Sequence, residues 1–318
     1  MKKYILIFAL AFSSVFNSLA QEKERIEPDA TYLYAEKDNS LLYLDIYEPS
    51  DGSAESVDGA DRPTILFMFG GGFKSGSRDD AYFNNWFRLV TEAGYRIVSI
   101  DYRLGLSDFS GAGINRKFIN ALDAAIDLAV EDLFSATNFI IDNSEALGID
   151  PNNIVISGSS AGAISVLQGE WEICNSMDNA KVLPEGFNYA GVMSFSGAVF
   201  SRKGAVRYAK EPCPTAFFHG TADKIVPYGK IQFLNLCFSG SSETVKDFKR
   251  HSFNYAIYRF KDHGHEISAF MELFMKEEFE FIENCVIKKL PAATDVTVDN
   301  PDIPFPDWAK GGDFKSLY

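Results

Sequence analysis

The sequence predicts an α/β fold: a mostly parallel central sheet with helices on both faces and an antiparallel hairpin at its N-terminal edge. Three observations carry this. Short β-branched and apolar runs, such as Thr64 to Phe69 and Ile154 to Ile156, alternate with longer stretches of helical period. Breaks rich in Gly, Ser and Asp separate them. One strand runs through Gly158-Ser159-Ser160-Ala161-Gly162 straight into a helix, which demands a sharp turn with small neighbours.

The elements follow in order. Met1-Lys2-Lys3, an apolar run from Tyr4 to Phe12, and the small residues Ser18 and Ala20 form a secretory signal peptide, with cleavage expected after Ala20. The apolar run is too short for a membrane helix, and no cysteine follows it to carry a lipid. A periplasmic or secreted protein without a stable membrane anchor is therefore expected. Thr31 to Ala35 and Leu41 to Tyr47 read as the hairpin, Pro49 to Pro63 as a surface loop, and Thr64 to Phe69 as a strand buried on both faces. Asp79 to Gly94 is helical, Tyr95 to Tyr102 a buried strand, and Ile114 to Leu147 one or two helices. After the central strand and helix come strands over Asn188 to Ser196 and Cys213 to His219. A helix over Tyr228 to Phe238, a strand over Asn254 to Phe260 and a long helix over Glu266 to Lys289 complete the pattern. One large domain is expected over residues 21–290, and 291–318 as an extended tail packed on it.

Composition excludes some classes. The net charge of −14 becomes −16 once the two lysines of the leader leave, and such a surface repels phosphate backbones, against nucleic-acid binding. The cysteines Cys174, Cys213, Cys237 and Cys285 allow three full disulfide pairings or remain free buried thiols. No H-E-x-x-H or clustered Cys/His pattern is present, so no metal or organic cofactor is expected.

Three motifs bear on chemistry. Ser160 stands at the tip of the sharp turn, at a helix N-terminus that favours developing negative charge. Gly70-Gly71-Gly72-Phe73 directly follows a buried strand, where consecutive glycines suit close approach of a ligand to the backbone or a tight turn. Gly71 and Gly76 have phosphate-loop spacing, but Ser77-Arg78 stands where Lys and a hydroxyl residue are required. A serine nucleophile needs a base, and the chain has four histidines: His219 at a strand end, His251 in a polar turn, and His263 and His265 around Gly264.

Phe69 to Phe73, Asp101-Tyr102-Arg103-Leu104, Gly158 to Gly162, His219-Gly220-Thr221-Ala222-Asp223 and Gly264-His265-Glu266, in this order, resemble the α/β-hydrolase esterases and lipases of the carboxylesterase and hormone-sensitive-lipase-like branches. The resemblance runs from about Leu41 to Lys289. It implies Ser160 as nucleophile, Asp223 as acid and His265 as base, with backbone N–H groups of Gly71, Gly72 and Ala161 as the oxyanion hole. His263 is the rival base, Asp223 could instead cap a turn, and His219 is read as structural. The chain departs from the family at Phe69, where a histidine usually precedes the glycines. The short basic interval Ser201 to Lys210 implies a small cap and an open cleft, suited to an ester borne on a plant polysaccharide. A lipase- or cutinase-like esterase, a serine peptidase of the same fold and a silent binding module are the alternatives.

Overall fold

The computed structural model describes residues 25–50, 62–110 and 115–306. The signal-peptide reading, most of the loop expected over Pro49 to Pro63 and the end of the tail lie outside these residues. The strands are β1 (Ala30–Lys37), β2 (Ser40–Tyr47), β3 (Thr64–Met68), β4 (Ile97–Ile100), β5 (Ile154–Ser159), β6 (Gly191–Phe195), β7 (Ala198–Ser201), β8 (Thr215–Gly220), β9 (Lys230–Phe233), β10 (Leu236–Gly240), β11 (Tyr255–Phe260) and β12 (Ala293–Val298). The helices used below are α1 (Asn84–Glu92), α2 (Arg116–Asp142), α3 (Ala161–Cys174), α4 (Ser241–His251) and α5 (Met275–Phe281).

Nine strands form one sheet in the order β1-β2-β4-β3-β5-β6-β8-β11-β12. The β1–β2 hairpin and the β2–β4 pair are antiparallel, and every pair from β4 to β12 is parallel. The two-residue side-chain period splits the core into two layers. Phe67 of β3 meets Phe83, Trp86 and Phe87 at the α1 side. The buried Trp86 indole donates to Glu278 of α5, 2.9 Å away, which joins the two helices of that layer. On the opposite face α3 lies buried along nearly its whole length and packs against α2, where Gly169 faces Leu133 and Phe134. Arg103 fastens the loop after β4 to this layer by bonding the buried Asp132 of α2 through its backbone N–H and its guanidinium.

Several expected elements differ. The helix expected over Asp79 to Gly94 begins at Asn84, after a short 3-10 turn capped by Asp80. Residues 228–238 are not a helix: Lys230–Phe233 and Leu236–Gly240 form a hairpin that joins β7 in a second, three-stranded antiparallel sheet. Alternation explains it, since Ile231, Phe233, Leu236 and Phe238 share one face across a turn at Leu234 (φ 52°). His251, expected in a turn, ends helix α4 and stacks on Phe253. The long helix over Glu266 to Lys289 is interrupted at Phe270 and Phe274, leaving two 3-10 turns, α5 and a π-helical turn over Ile282–Ile287. Residues after Pro291, expected to lie over the surface, add β12 to the edge of the main sheet. The four cysteines are free and buried.

Candidate active site

The carboxyl ends of parallel strands converge on one region, where ligands bind in open α/β sheets. Gly70 follows β3, Ser160 follows β5, Asp223 follows β8 and His265 follows β11. Ser160 has φ 51° and ψ −112°, a strained conformation for a residue with a side chain. It is imposed by the immediate change from strand to helix. A Cβ on Gly158 would lie 2.4 Å from the carbonyl carbon of Gly162, and one on Gly162 would lie 2.0 Å from the carbonyl oxygen of Met68. Neither position has room for a side chain.

The Ser160 hydroxyl makes no capping bond to the helix it opens. Its Oγ lies 2.7 Å from Nε2 of His265. Nδ1 of the same ring is 2.8 Å from Oδ2 of Asp223. A carboxylate can only accept here, so the Nδ1–H donates to Asp223 and Nε2 is left to accept from the serine. The structure thus brings together Ser160, His265 and Asp223, which are far apart along the chain. Asp223 is fully engaged: its Oδ1 accepts from the N–H groups of Ile225 and Val226, at 2.8 and 3.0 Å. Burial alone would raise its pKa, but the charge of His265, together with hydrogen bonds from His219 and His265, outweighs burial and holds the carboxyl well below the usual carboxylate range. The turn-capping reading of Asp223 holds alongside, because one oxygen serves the turn while the other faces His265.

His263 is not in this row. Its Nδ1 lies 2.9 Å from Oε1 of the buried Glu266, and its ring meets Phe305 edge-on. Glu266 also accepts from the Gly264 N–H and so fixes the turn that presents His265. His219 is fully buried, with Nδ1 2.7 Å from Ser241 Oγ and Nε2 facing both Val226 O at 3.2 Å and Asp223 Oδ2 at 3.3 Å. With two acceptors facing Nε2, that nitrogen carries the proton and Nδ1 accepts from the Ser241 hydroxyl.

The glycine loop lies against the serine. A Cβ on Gly70 would stand 3.2 Å from Cβ of Ser160. Gly71, Gly72 and Phe73 all have positive φ, and the carbonyl of Gly71 accepts from the N–H groups of Lys74 and Ser75. Such a run of left-handed residues makes a concave backbone turn. Gly71 and Gly72 follow directly on Gly70, which touches the elbow, and Ala161 opens helix α3 directly after Ser160. Phe69 stacks on Tyr102 with ring centroids 4.4 Å apart, and the Tyr102 hydroxyl donates to the Phe69 carbonyl at 2.8 Å. The aromatic pair and this bond hold the strand end where the usual histidine is missing.

Sequence reasoning missed the supports. Ser159 Oγ donates to the carbonyl of Ser268, whose own Oγ donates to the carbonyl of His265. Tyr102 and Glu266 stood inside motifs read for other residues, so proximity to them was the available signal, while His219, read as structural, is a buried support of Asp223. The interval Ser201 to Lys210, expected to form a small cap, leaves strand β7, which pairs with β10, and β10 with β9, in the separate three-stranded sheet.

Residues 44–199, just under half of the chain, match the family described as BD-FAE. The chain is 33% identical over 135 residues to Carboxylesterase 5A of Felis catus, covering 42% of this chain and 22% of that protein. It is 30% identical over 176 residues to Secreted lipase 1 of Botryotinia fuckeliana, covering 54% of this chain and 27% of that protein. The match thus spans about a quarter or less of these relatives' own length. Among solved structures, the apo form of Thermogutta terrifontis esterase 2 superposes with a TM-score of 0.57 at 22% identity, covering 81% of this chain and 95% of that one, a likeness of fold. By its sheet order and its strand-to-helix elbow the chain has the α/β-hydrolase fold, and over part of its length its sequence is similar to esterases and lipases.

Proposed function

We propose that this protein is a serine carboxylesterase, exported by its N-terminal leader, that hydrolyses carboxylic esters through an acyl-enzyme. The observation that carries the reading is the continuous row from Ser160 Oγ through the His265 imidazole to the Asp223 carboxylate, with both hydrogen bonds under 3 Å. His265 Nε2 takes the serine proton as Oγ attacks the ester carbonyl carbon. Asp223 keeps the ring in the required tautomer and stabilises the imidazolium. The N–H groups of Gly71, Gly72 and Ala161 receive the oxyanion of the tetrahedral intermediate. The imidazolium then protonates the departing alcohol, and His265 activates water to release the acid and restore Ser160.

Within this class, acetyl or feruloyl groups on plant polysaccharide are one substrate reading, supported by the absence of a large helical cap among the described residues. A lipase- or cutinase-like esterase is the second, supported by the apolar faces of the small sheet. The serine peptidase and silent-module readings find no support in the matched relatives, which are named as esterases and lipases.

The test is a chain-length series of p-nitrophenyl esters, with acetylated xylan and methyl ferulate added. Ester hydrolysis that falls by about four orders of magnitude in Ser160→Ala and Asp223→Asn is expected. Turnover that survives Ser160→Ala would assign the chemistry elsewhere, and peptide cleavage alone would favour a peptidase.

A further inference from the structure

Among the described residues, the small sheet carries an apolar face that is only partly covered. In β9 and β10, Ile231 pairs with Phe238 and Phe233 with Leu236, while Phe200 of β7 pairs with Phe238 on the other side. Directly paired residues project from the same face, so all five point one way. Across from them stand Phe118, Ile119 and Leu122, in the first turns of α2. Between the two lies a cavity of about 560 Å³, a volume typical of small-molecule sites. Its floor is buried, at Phe118, Leu122 and Phe200. At its rim Ile231 is 59% exposed and Phe233 71% exposed, and Leu234 at the hairpin tip is 79% exposed. Large side chains left in water at the mouth of an apolar cleft mark a surface that something apolar covers in use.

The cavity is tied to the proposed chemistry by Asp223, Ile225 and Pro227, which form one of its walls. Asp223 holds the His265 imidazole whose other nitrogen meets Ser160, so this wall is part of the loop that carries the acid of the row. Asp223 and Lys224 are the charged residues of the lining; Asp223 Oδ1 and Oδ2 are already engaged by the turn and by His265. A lining this apolar offers a sugar few partners, so its hydroxyls would lose water without full compensation.

We propose that this cavity, walled by the β9–β10 hairpin and the start of α2, binds the apolar group of the substrate ester, an alkyl or aryl group of about four to eight carbons. This rests on the esterase reading and narrows it. The group is the acyl chain or the alcohol, both of which leave the reacting carbon near His265. Each methylene placed in the cavity raises kcat/KM about threefold to fourfold until the cavity is filled.

Two arms separate the sources: p-nitrophenyl esters from acetate to decanoate vary the acyl chain, and acetates of methanol to octanol, followed by acid release, vary the alcohol. A rise of at least thirtyfold from the shortest to the best member in either arm is expected. The double variant Ile231→Ser, Phe233→Ser, at exposed positions where folding is little affected, is expected to cut that ratio at least tenfold. Calorimetry on the Ser160→Ala protein supplies a readout independent of turnover: octan-1-ol is expected to bind at least tenfold more tightly than butan-1-ol, and the double variant on that background to abolish the difference. Short esters cleaved with no chain-length dependence in either arm overturn the cavity assignment and leave the esterase reading standing. Octan-1-ol bound through Ile231 and Phe233 without ester turnover keeps the cavity as an apolar site and removes the esterase reading. No turnover and no selective alcohol binding removes both.

Discussion

Ser159 Oγ donates a hydrogen bond to the carbonyl oxygen of Ser268, 2.8 Å away and 109 residues later in the chain. The residue before the proposed nucleophile thereby holds the loop of the proposed base, because Ser268 Oγ in turn bonds the carbonyl of His265. The geometry of Ser160 and His265 is set by this buried pair as much as by the two residues themselves.

Ser159→Ala leaves the Ser268 carbonyl buried without its donor. A stability loss of about 1–3 kcal/mol in urea unfolding is expected. Ester turnover is expected to fall about tenfold in kcat with KM little changed, since a loosened His265 misplaces the proton acceptor and leaves substrate binding intact. A stability loss without a kcat effect would mean that Glu266 alone positions the loop.

Tyr102→Phe keeps the stack on Phe69 and removes the hydrogen bond to the Phe69 carbonyl. The glycine loop starts at the next residue. Slower turnover, by about threefold to tenfold in kcat, is the expected result if the loop's N–H groups stabilise the oxyanion. Unfolding should shift by only about 1 kcal/mol. Wild-type kcat in this variant would show that the loop needs no anchor at Tyr102.

His219 faces the same Asp223 oxygen, Oδ2, that accepts from His265, and its Nε2–H gives that oxygen a second donor. It is a positioning residue. His219→Phe should lower kcat about tenfold to a hundredfold with KM nearly unchanged. His219→Gln, whose amide can donate to Asp223 and accept from Ser241, should recover most of that loss. Equal damage from both substitutions, measured on protein of native circular dichroism, would reduce His219 to a packing role.

Glu172 lies buried in α3 beside Gln168, and desolvation raises its pKa to about 7, with Asp127 and Asp123 adding to the rise. The folded chain therefore keeps a proton that the unfolded chain loses near pH 4.5, so stability drains away as pH rises from about 4.5 to 7. Glu172→Gln removes this loss. The variant should be more stable than the parent by up to about 3 kcal/mol at pH 8 and gain almost nothing at pH 4. A gain of equal size at both pH values would show that Glu172 titrates normally.

The local pattern was enough to place Ser160: the elbow depends on neighbours within two residues, Gly158 and Gly162, and on a strand-to-helix change readable from periodicity. The strand series was legible for the same reason, since a strand buried on both faces is a short apolar run wherever it occurs. The β9–β10 hairpin was not. Ile231, Leu234 and Phe238 recur at a helical i, i+3, i+7 spacing while Ile231 and Phe233, then Leu236 and Phe238, recur at the alternating one, and only pairing with β7 selects the strand. The continuous helix expected from Glu266 failed on a distant contact, because Ser268 gives its carbonyl to Ser159 instead of to a helical turn. Phe69 in place of the usual histidine was visible in the sequence, while its replacement by a stack and a hydroxyl from Tyr102, 33 residues on, was not. What one or two residues impose on their own backbone was written in the sequence. Which carbonyl, ring or carboxylate completes each group was decided by tertiary structure, because buried polar groups take whichever partner the packed fold brings within reach.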